Sequence, residues 1–175
     1  NFFRDPQVFN TLKETLVSKT LPDFDRDRFR VWIPGCATGE EAYSVAIVLR
    51  EALDELNLRL QVEIYATDLN GDAIAQARRG TFSLNIEADV SEERLQKFFT
   101  ENERAYQIRQ EIREMVVFAE QNLISDPPFS NLDMVCCRNL LMYLKPAAQK
   151  RALSQFRYGL RPGGLLLLGT SESVG

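Results

Sequence analysis

There is no histidine anywhere in the 175 residues. A histidine-dependent catalytic triad and a histidine-ligated metal are therefore excluded. Cysteine is scarce. Cys36, Cys136 and Cys137 form no CxxC pair, two of them are neighbours, and an odd count suits neither a structural zinc nor a disulfide framework. They read as small apolar residues kept as thiols in a reducing cytosol. No apolar run approaches 18 residues, so a membrane-spanning helix is not expected. Basic runs are missing too, and a net charge of −4 argues against a nucleic-acid partner. The chain does not open on Met, and residues 1–6 have neither the basic nor the apolar part of a signal segment. What is present, 45% apolar and 26% charged, is the usage of one ordinary folded domain.

The apolar pattern divides the chain into alternating elements. Val8, Leu12, Leu16 and Val17 recur at helical spacing over 7–20. Val31, Trp32 and Ile33 make a short strand closed by Pro34-Gly35, and residues 40–56 return to helical period. A second strand over 62–67 ends on Asp68, and a short helix over 73–79 is stopped by Gly80. Ser91 suits the N-cap of a helix running to Phe99. Residues 106–109 and 115–118 read as strands paired in a small hairpin. Regular alternation resumes with a strand over 134–137 and a helix over 146–160 that has Pro146 in its first turn. Pro162-Gly163-Gly164 then turns into the apolar run 165–168. Apolar strands alternating with amphipathic helices predict an α/β domain over 1–175, a mostly parallel sheet covered on both faces, with an insertion at about 80–118. Such sheets bind ligands at the carboxyl ends of their strands, here 35–41, 68–70, 121–123 and 138–143.

The first of these loops, Gly35-Cys36-Ala37-Thr38-Gly39-Glu40-Glu41, narrows the ligand. It has no GK[ST], which excludes a P-loop, and two glycines are too few for a dinucleotide fingerprint. Glu40 and Glu41 stand where a pyrophosphate would need positive potential. Two carboxylates instead suit a cofactor carrying an ammonium and a sulfonium, or they complement the helix dipole at ~0.3–1 kcal/mol each. Asp68, ending the second strand, can accept two hydrogen bonds from a ribose diol, at ~1.5–3 kcal/mol, or cap the turn before Asn70-Gly71. Together these features favour S-adenosylmethionine over NAD or ATP.

Four ordered motifs spread over essentially the whole chain are more specific. They are Phe2-Phe3-Arg4-Asp5, residues 35–44, Ala66-Thr67-Asp68, and Cys137-Arg138-Asn139-Leu140-Leu141-Met142-Tyr143. The set resembles the CheR-type chemotaxis protein methyltransferases, which transfer methyl from S-adenosylmethionine to receptor glutamates. Residues 112–118 and 126–130 resemble the large hybrids that fuse methylesterase-like, methyltransferase and PAS-type sensor segments. The resemblance implies a Rossmann-like methyltransferase fold with a small antiparallel insertion. It also implies that this piece lacks a helical domain upstream and a final antiparallel hairpin downstream. Two further departures are an Asn1 where the family has Thr just before Phe-Phe-Arg, and Gly169-Thr170-Ser171-Glu172 in place of Gly-His-Ser-Glu.

By the same resemblance, Arg4 and Tyr143 are the catalytic candidates. Gly35, Glu41, Asp68, Asn122, Leu123, Arg138 and Asn139 are the cofactor-binding candidates. The implied partner is a chemoreceptor-like protein with acidic helices, met in the cytoplasm by a protein fused to other signalling domains. Residues 99–115 are short, and residues 100–103 contain no glycine to open a loop, so recognition independent of a receptor tail peptide is expected. Each candidate has a plainer alternative. Arg4 could pair with Asp5, Tyr143 could pack in the core, Asn122 could serve a turn, and Arg138 could form a surface ion pair. Phe98 and Phe99 read as core. A second functional reading is a sensory or scaffold module that binds the cofactor without transferring its methyl. A third is a small-molecule or nucleic-acid methyltransferase, the latter disfavoured by the acidic balance and the lack of an Asn-Pro-Pro-Tyr motif.

Overall fold

The computed structural model describes residues 1–172. Helix α1 (Pro6–Thr15) runs into a π-helical turn over Leu16–Thr20. Then β1 (Arg28–Pro34), α2 (Glu40–Glu55), β2 (Gln61–Asp68) and α3 (Gly71–Arg79) follow in strict alternation. Helix α3 starts where it does because Asn70 Oδ1 accepts from the N–H groups of Asp72 and Ala73. It stops at Gly80, whose φ of 63° is the left-handed cap conformation. Next come β3 (Thr81–Ser83), α4 (Glu92–Phe98), β4 (Phe99–Glu101), β5 (Ala105–Ile108) and the single turn α5 (Gln110–Arg113). The expected Ser91 cap is present, its Oγ accepting from Arg94 N. The chain closes with β6 (Val116–Glu120), β7 (Leu132–Cys137), α6 (Pro146–Gly159) and β8 (Leu160–Leu168).

Five strands form the main sheet in the order β6-β2-β1-β7-β8, and every pairing is parallel. One face is covered by α1, α2 and α3, where ten residues of α2 are buried. The other is covered by α6, whose Ala152 and Phe156 pack with Trp32 and Val135. A sheet buried on both faces explains why all six residues of β7 are buried. Phe98 and Phe99 lie in the core as expected.

Two expectations about pairing are corrected. Residues 106–109 and 115–118 do not form a hairpin. Strand β5 pairs antiparallel with β3 and β4 in a separate sheet, whereas β6 pairs parallel with β2. The cause lies in the side chains: Val116 and Phe118 extend the main core beside Ile64 and Ala66. The antiparallel sheet itself is confined to residues 81–108. Pro162-Gly163-Gly164 is also not a turn ahead of the last strand. It lies inside β8, where the register slips opposite Leu132 and Met134 and Gly163 adopts a φ of 80°.

The register sets the position of the ligand edge. β1 runs beside β2 from Arg28↔Gln61 to Pro34↔Thr67, and Asp68 lies opposite Glu120 of β6. The chain builds outward from β1 to β2 and β6, then returns to the other side of β1 with β7 and β8. The reversal opens a crevice between the carboxyl ends of β1 and β7. Among the described residues no helix is long and apolar enough to cross a membrane.

Candidate functional site

The loop after β1 is shaped by backbone that ordinary residues avoid. Gly35, Ala37 and Gly39 have φ of 70°, 48° and 99°. A Cβ on Gly39 would lie 3.0 Å from Ala77 Cβ and 3.2 Å from the Tyr43 ring, so strain and space both demand glycine there. A Cβ on Gly35 would meet Leu140 Cδ2 at 2.9 Å, which shows how closely the loops after β1 and β7 approach. Asp68 ties the next strand to this loop. Its Oδ2 accepts from Ala37 N at 2.8 Å and its Oδ1 from Asn70 N at 2.9 Å. Each oxygen keeps a further lone pair, so the turn role and a ligand role are compatible. Glu40 accepts a hydrogen bond from the Thr38 hydroxyl.

Across the crevice, Arg138 leaves the end of β7 with its side chain fully shielded from solvent. Its Nη1 donates to Glu41 Oε1 at 2.9 Å and Oε2 at 3.3 Å. Its Nη2 donates to the Arg4 carbonyl at 2.7 Å and to Asp5 Oδ2 at 3.0 Å. The guanidinium also lies 5.1 Å from the Phe9 ring centroid. Arg138 is thus no surface ion pair. Breaking such a buried pair by truncating one partner costs about 3–5 kcal/mol.

Arg4 itself sits between two left-handed residues, Phe3 (φ 47°) and Asp5 (φ 57°). Such backbone costs of order 1–3 kcal/mol per residue. Burial offsets it: a Phe taken out of water contributes about 1.5–3 kcal/mol, and both Phe2 and Phe3 are buried. Phe2 packs edge-on against Phe82 and Phe99, Phe3 against Phe9, and Arg94 covers Phe3 at 4.2 Å. Ser44 Oγ accepts from Phe3 N at 3.0 Å. The Arg4 side chain is exposed and enters no ion pair among the described residues, so the alternative of an Arg4–Asp5 pair does not hold. Asp5 pairs with Arg138 instead.

Tyr143 is 77% exposed, which removes the core-packing alternative. It follows Asn139, another left-handed residue (φ 58°), in a loop secured by Glu172. Glu172 Oε1 accepts from Leu140 N and Leu141 N, both at 2.7 Å, and Oε2 from Gly169 N at 2.9 Å. At the end of β6, Asn122 does serve a turn, its Oδ1 accepting from Ile124 N and Ser125 N. Leu123 packs half-buried on the α6 side. Glu41, Arg138 and the backbone of Arg4 therefore form one bonded group. Asp68 joins the same edge through Ala37, and Asn122, Leu123 and Tyr143 occupy the flanking loops. Ser44, Asp5 and Glu172 lie in stretches that carry the family resemblance, but none of them is among the site residues the sequence singles out. Only the spacing of Ser44, one helical turn beyond Glu40 on α2, could have pointed to it.

The electrostatics fit a cationic guest. Residues 35–41 contain two glutamates and no lysine or arginine, and Asp68 adds a third carboxylate; Arg138 offsets the charge of Glu41, which leaves the edge net negative through Glu40 and Asp68. Burial, then the Asp68 charge, pushes the Cys36 thiol up to about 12. Burial and the Glu41 charge push the Cys136 thiol up as well. Neither thiol is an available nucleophile. An adenosyl group with an ammonium and a sulfonium suits this donor set, which offers carboxylates for cation and diol.

Comparison with known proteins identifies the family and the fold. The family model described as "CheR methyltransferase, SAM binding domain" matches residues 1–175. A 104.1 kDa protein of Rhodobacter capsulatus is 43% identical over 175 residues, covering 99% of this chain and 18% of that protein. Chemotaxis protein methyltransferase Cher2 of Pseudomonas putida is 34% identical over 183 residues, covering 99% of this chain and 65% of its own length. The chain thus spans less than two thirds of either relative. The crystal structure of DszA carbon methyltransferase superposes with a TM-score of 0.58 at 19% identity, covering 94% of this chain and 34% of that one, a likeness of fold.

Proposed function

The chain belongs to the CheR methyltransferase family, as its S-adenosylmethionine-binding domain, and from that premise we propose that it methylates glutamate side chains of chemoreceptor-like proteins. The observation that carries the proposal is the bonded group at the crevice. A carboxylate suited to the cofactor's ammonium, Glu41, and the backbone of an exposed cation, Arg4, are held by one buried guanidinium.

In this reading Glu41 takes the ammonium, Asp68 the ribose diol, and the Gly35 backbone allows close approach. Asn122 and Leu123 line the adenine side, and Arg138 with Asn139 forms the wall after β7. When bound, S-adenosylmethionine supplies a sulfonium methyl that a carboxylate oxygen can displace. A glutamate acceptor is ionised at pH 7, since its usual pKa is about 4.3, so no general base is required. A site without histidine meets that requirement. The work left to the protein is orientation, where effective molarity supplies several orders of magnitude. Arg4 holds the acceptor carboxylate. Because the Arg4 side chain is exposed, such a pair contributes only ~0–1 kcal/mol, so it orients the acceptor and does not bind it tightly. Tyr143, exposed on the facing loop, packs beside the acceptor.

The proposed setting is the cytoplasm, in a longer polypeptide with further signalling domains. The size of the Rhodobacter capsulatus relative, of which this chain matches 18%, supports the second point. The test is calorimetric titration with S-adenosylhomocysteine and with ATP. Binding of the first alone is expected. Binding of ATP, or of neither, would remove the reading.

A further inference from the structure

We infer that Arg138 is a positioning residue that couples Glu41, on the cofactor side, to the backbone carrying Arg4, on the acceptor side. The inference deepens the proposed function and rests on it for the roles of those two residues. Three segments distant in sequence meet on this one side chain: the start of α2, the end of β7 and the N-terminal segment. Each guanidinium nitrogen at its tip faces a different one. Nη1 serves Glu41 alone, and Nη2 serves Arg4 O and Asp5 Oδ2 alone. The planar fork makes the two ends rigid with respect to one another, which a lysine ammonium cannot do.

The N-terminal end needs such a brace. Arg4 lies between two left-handed residues, and two side-chain contacts restrain the polar backbone there: Ser44 Oγ on Phe3 N and Arg138 Nη2 on Arg4 O. Ser44 also donates to the Glu40 carbonyl at 2.7 Å, so both contacts lead back to the first turn of α2, which bears Glu41. A ligand that fixes Glu41 therefore also fixes Arg138, and through it the Arg4 carbonyl. Filling the cofactor site orders the acceptor clamp, and by linkage an occupied clamp tightens cofactor binding by the same factor.

The experiment is hydrogen exchange at the amides of Phe3 and Val8, whose N–H groups bond to Ser44 Oγ and Asp5 O, with and without saturating S-adenosylhomocysteine. In the full-length wild-type protein the ligand should slow exchange at both, by about tenfold, the scale of one added hydrogen bond to a charged group. Arg138→Lys should lose that slowing while calorimetry still detects bound ligand. Asp5→Asn, which keeps the left-handed backbone and removes one charged contact, should lose it in part and serves if Arg138→Lys does not fold. Undiminished slowing in either ligand-bound variant would overturn the inference. Failure of the wild-type protein to bind the ligand would instead overturn the proposed function.

Discussion

The carboxylate of Asp68 accepts the backbone N–H of Ala37 at 2.8 Å, so the end of β2 fixes the loop that follows β1. The same side chain holds Asn70 N, and both bonds use a carboxylate that the proposed ribose contact also needs. Asp68→Ala should weaken S-adenosylhomocysteine binding by one to two orders of magnitude, for ~1.5–3 kcal/mol of lost charge-assisted bonding. Calorimetry of the folded variant checks this, and unchanged affinity would leave Asp68 with only its turn role.

Binding and chemistry should separate at Arg4. Its side chain is exposed and makes no ion pair among the described residues, so Arg4→Ala should leave the fold and the ligand affinity nearly intact. Methyl transfer should fall by far more, and Arg4→Lys should recover little, because a point charge lacks the planar fork. Equal losses in binding and turnover would make Arg4 a cofactor ligand.

Gly39 has no room for a methyl group and adopts a φ of 99°. Gly39→Ala should therefore cost of order 1–3 kcal/mol in urea denaturation and displace the first turn of α2, reducing ligand affinity as well. An unshifted midpoint would show that the loop relaxes freely.

The buried thiols give the protein an alkaline limit. Cys36 is pushed from its ordinary 9.0 up to about 12, and Cys136 and Cys137 are pushed up too, in each case chiefly by burial. Between pH 9 and 12 the unfolded chain loses thiol protons that the folded one keeps. Stability is thus intact below pH 9 and falls as pH rises beyond it. The urea midpoint should drop from pH 8 toward pH 10.5, and iodoacetamide at pH 8 should leave the folded thiols unmodified.

Much of the fold is legible in the sequence. The periodic stretches gave β1, α2, β2, α3, β7 and α6 because burial on both faces leaves a strong apolar signal in each. The strands at 106–109 and 115–118 were misjoined for a related reason. Short apolar segments state that they are buried, and not which sheet receives them. At the site, residue types pointed to Glu41 and Asp68, since charge and strand ends are local features. The burial of Arg138 was not legible, because it depends on Phe9, Asp5 and Glu41 arriving from elsewhere in the fold. The role of Glu172 is hidden likewise: its place in Gly169-Thr170-Ser171-Glu172 marks the residue, but not the loop 31 residues away that it caps.

The central claim is transfer of a methyl group to a carboxylate, and the product's chemistry tests it most directly. The full-length protein would be incubated with methyl-labelled S-adenosylmethionine and chemoreceptor cytoplasmic fragments, and the labelled receptor then treated with mild base. The account predicts release of labelled methanol, from a methyl ester, and loss of labelling when the acceptor glutamate is replaced by alanine. Ligand binding with no labelled receptor, or a label that survives base, would contradict it.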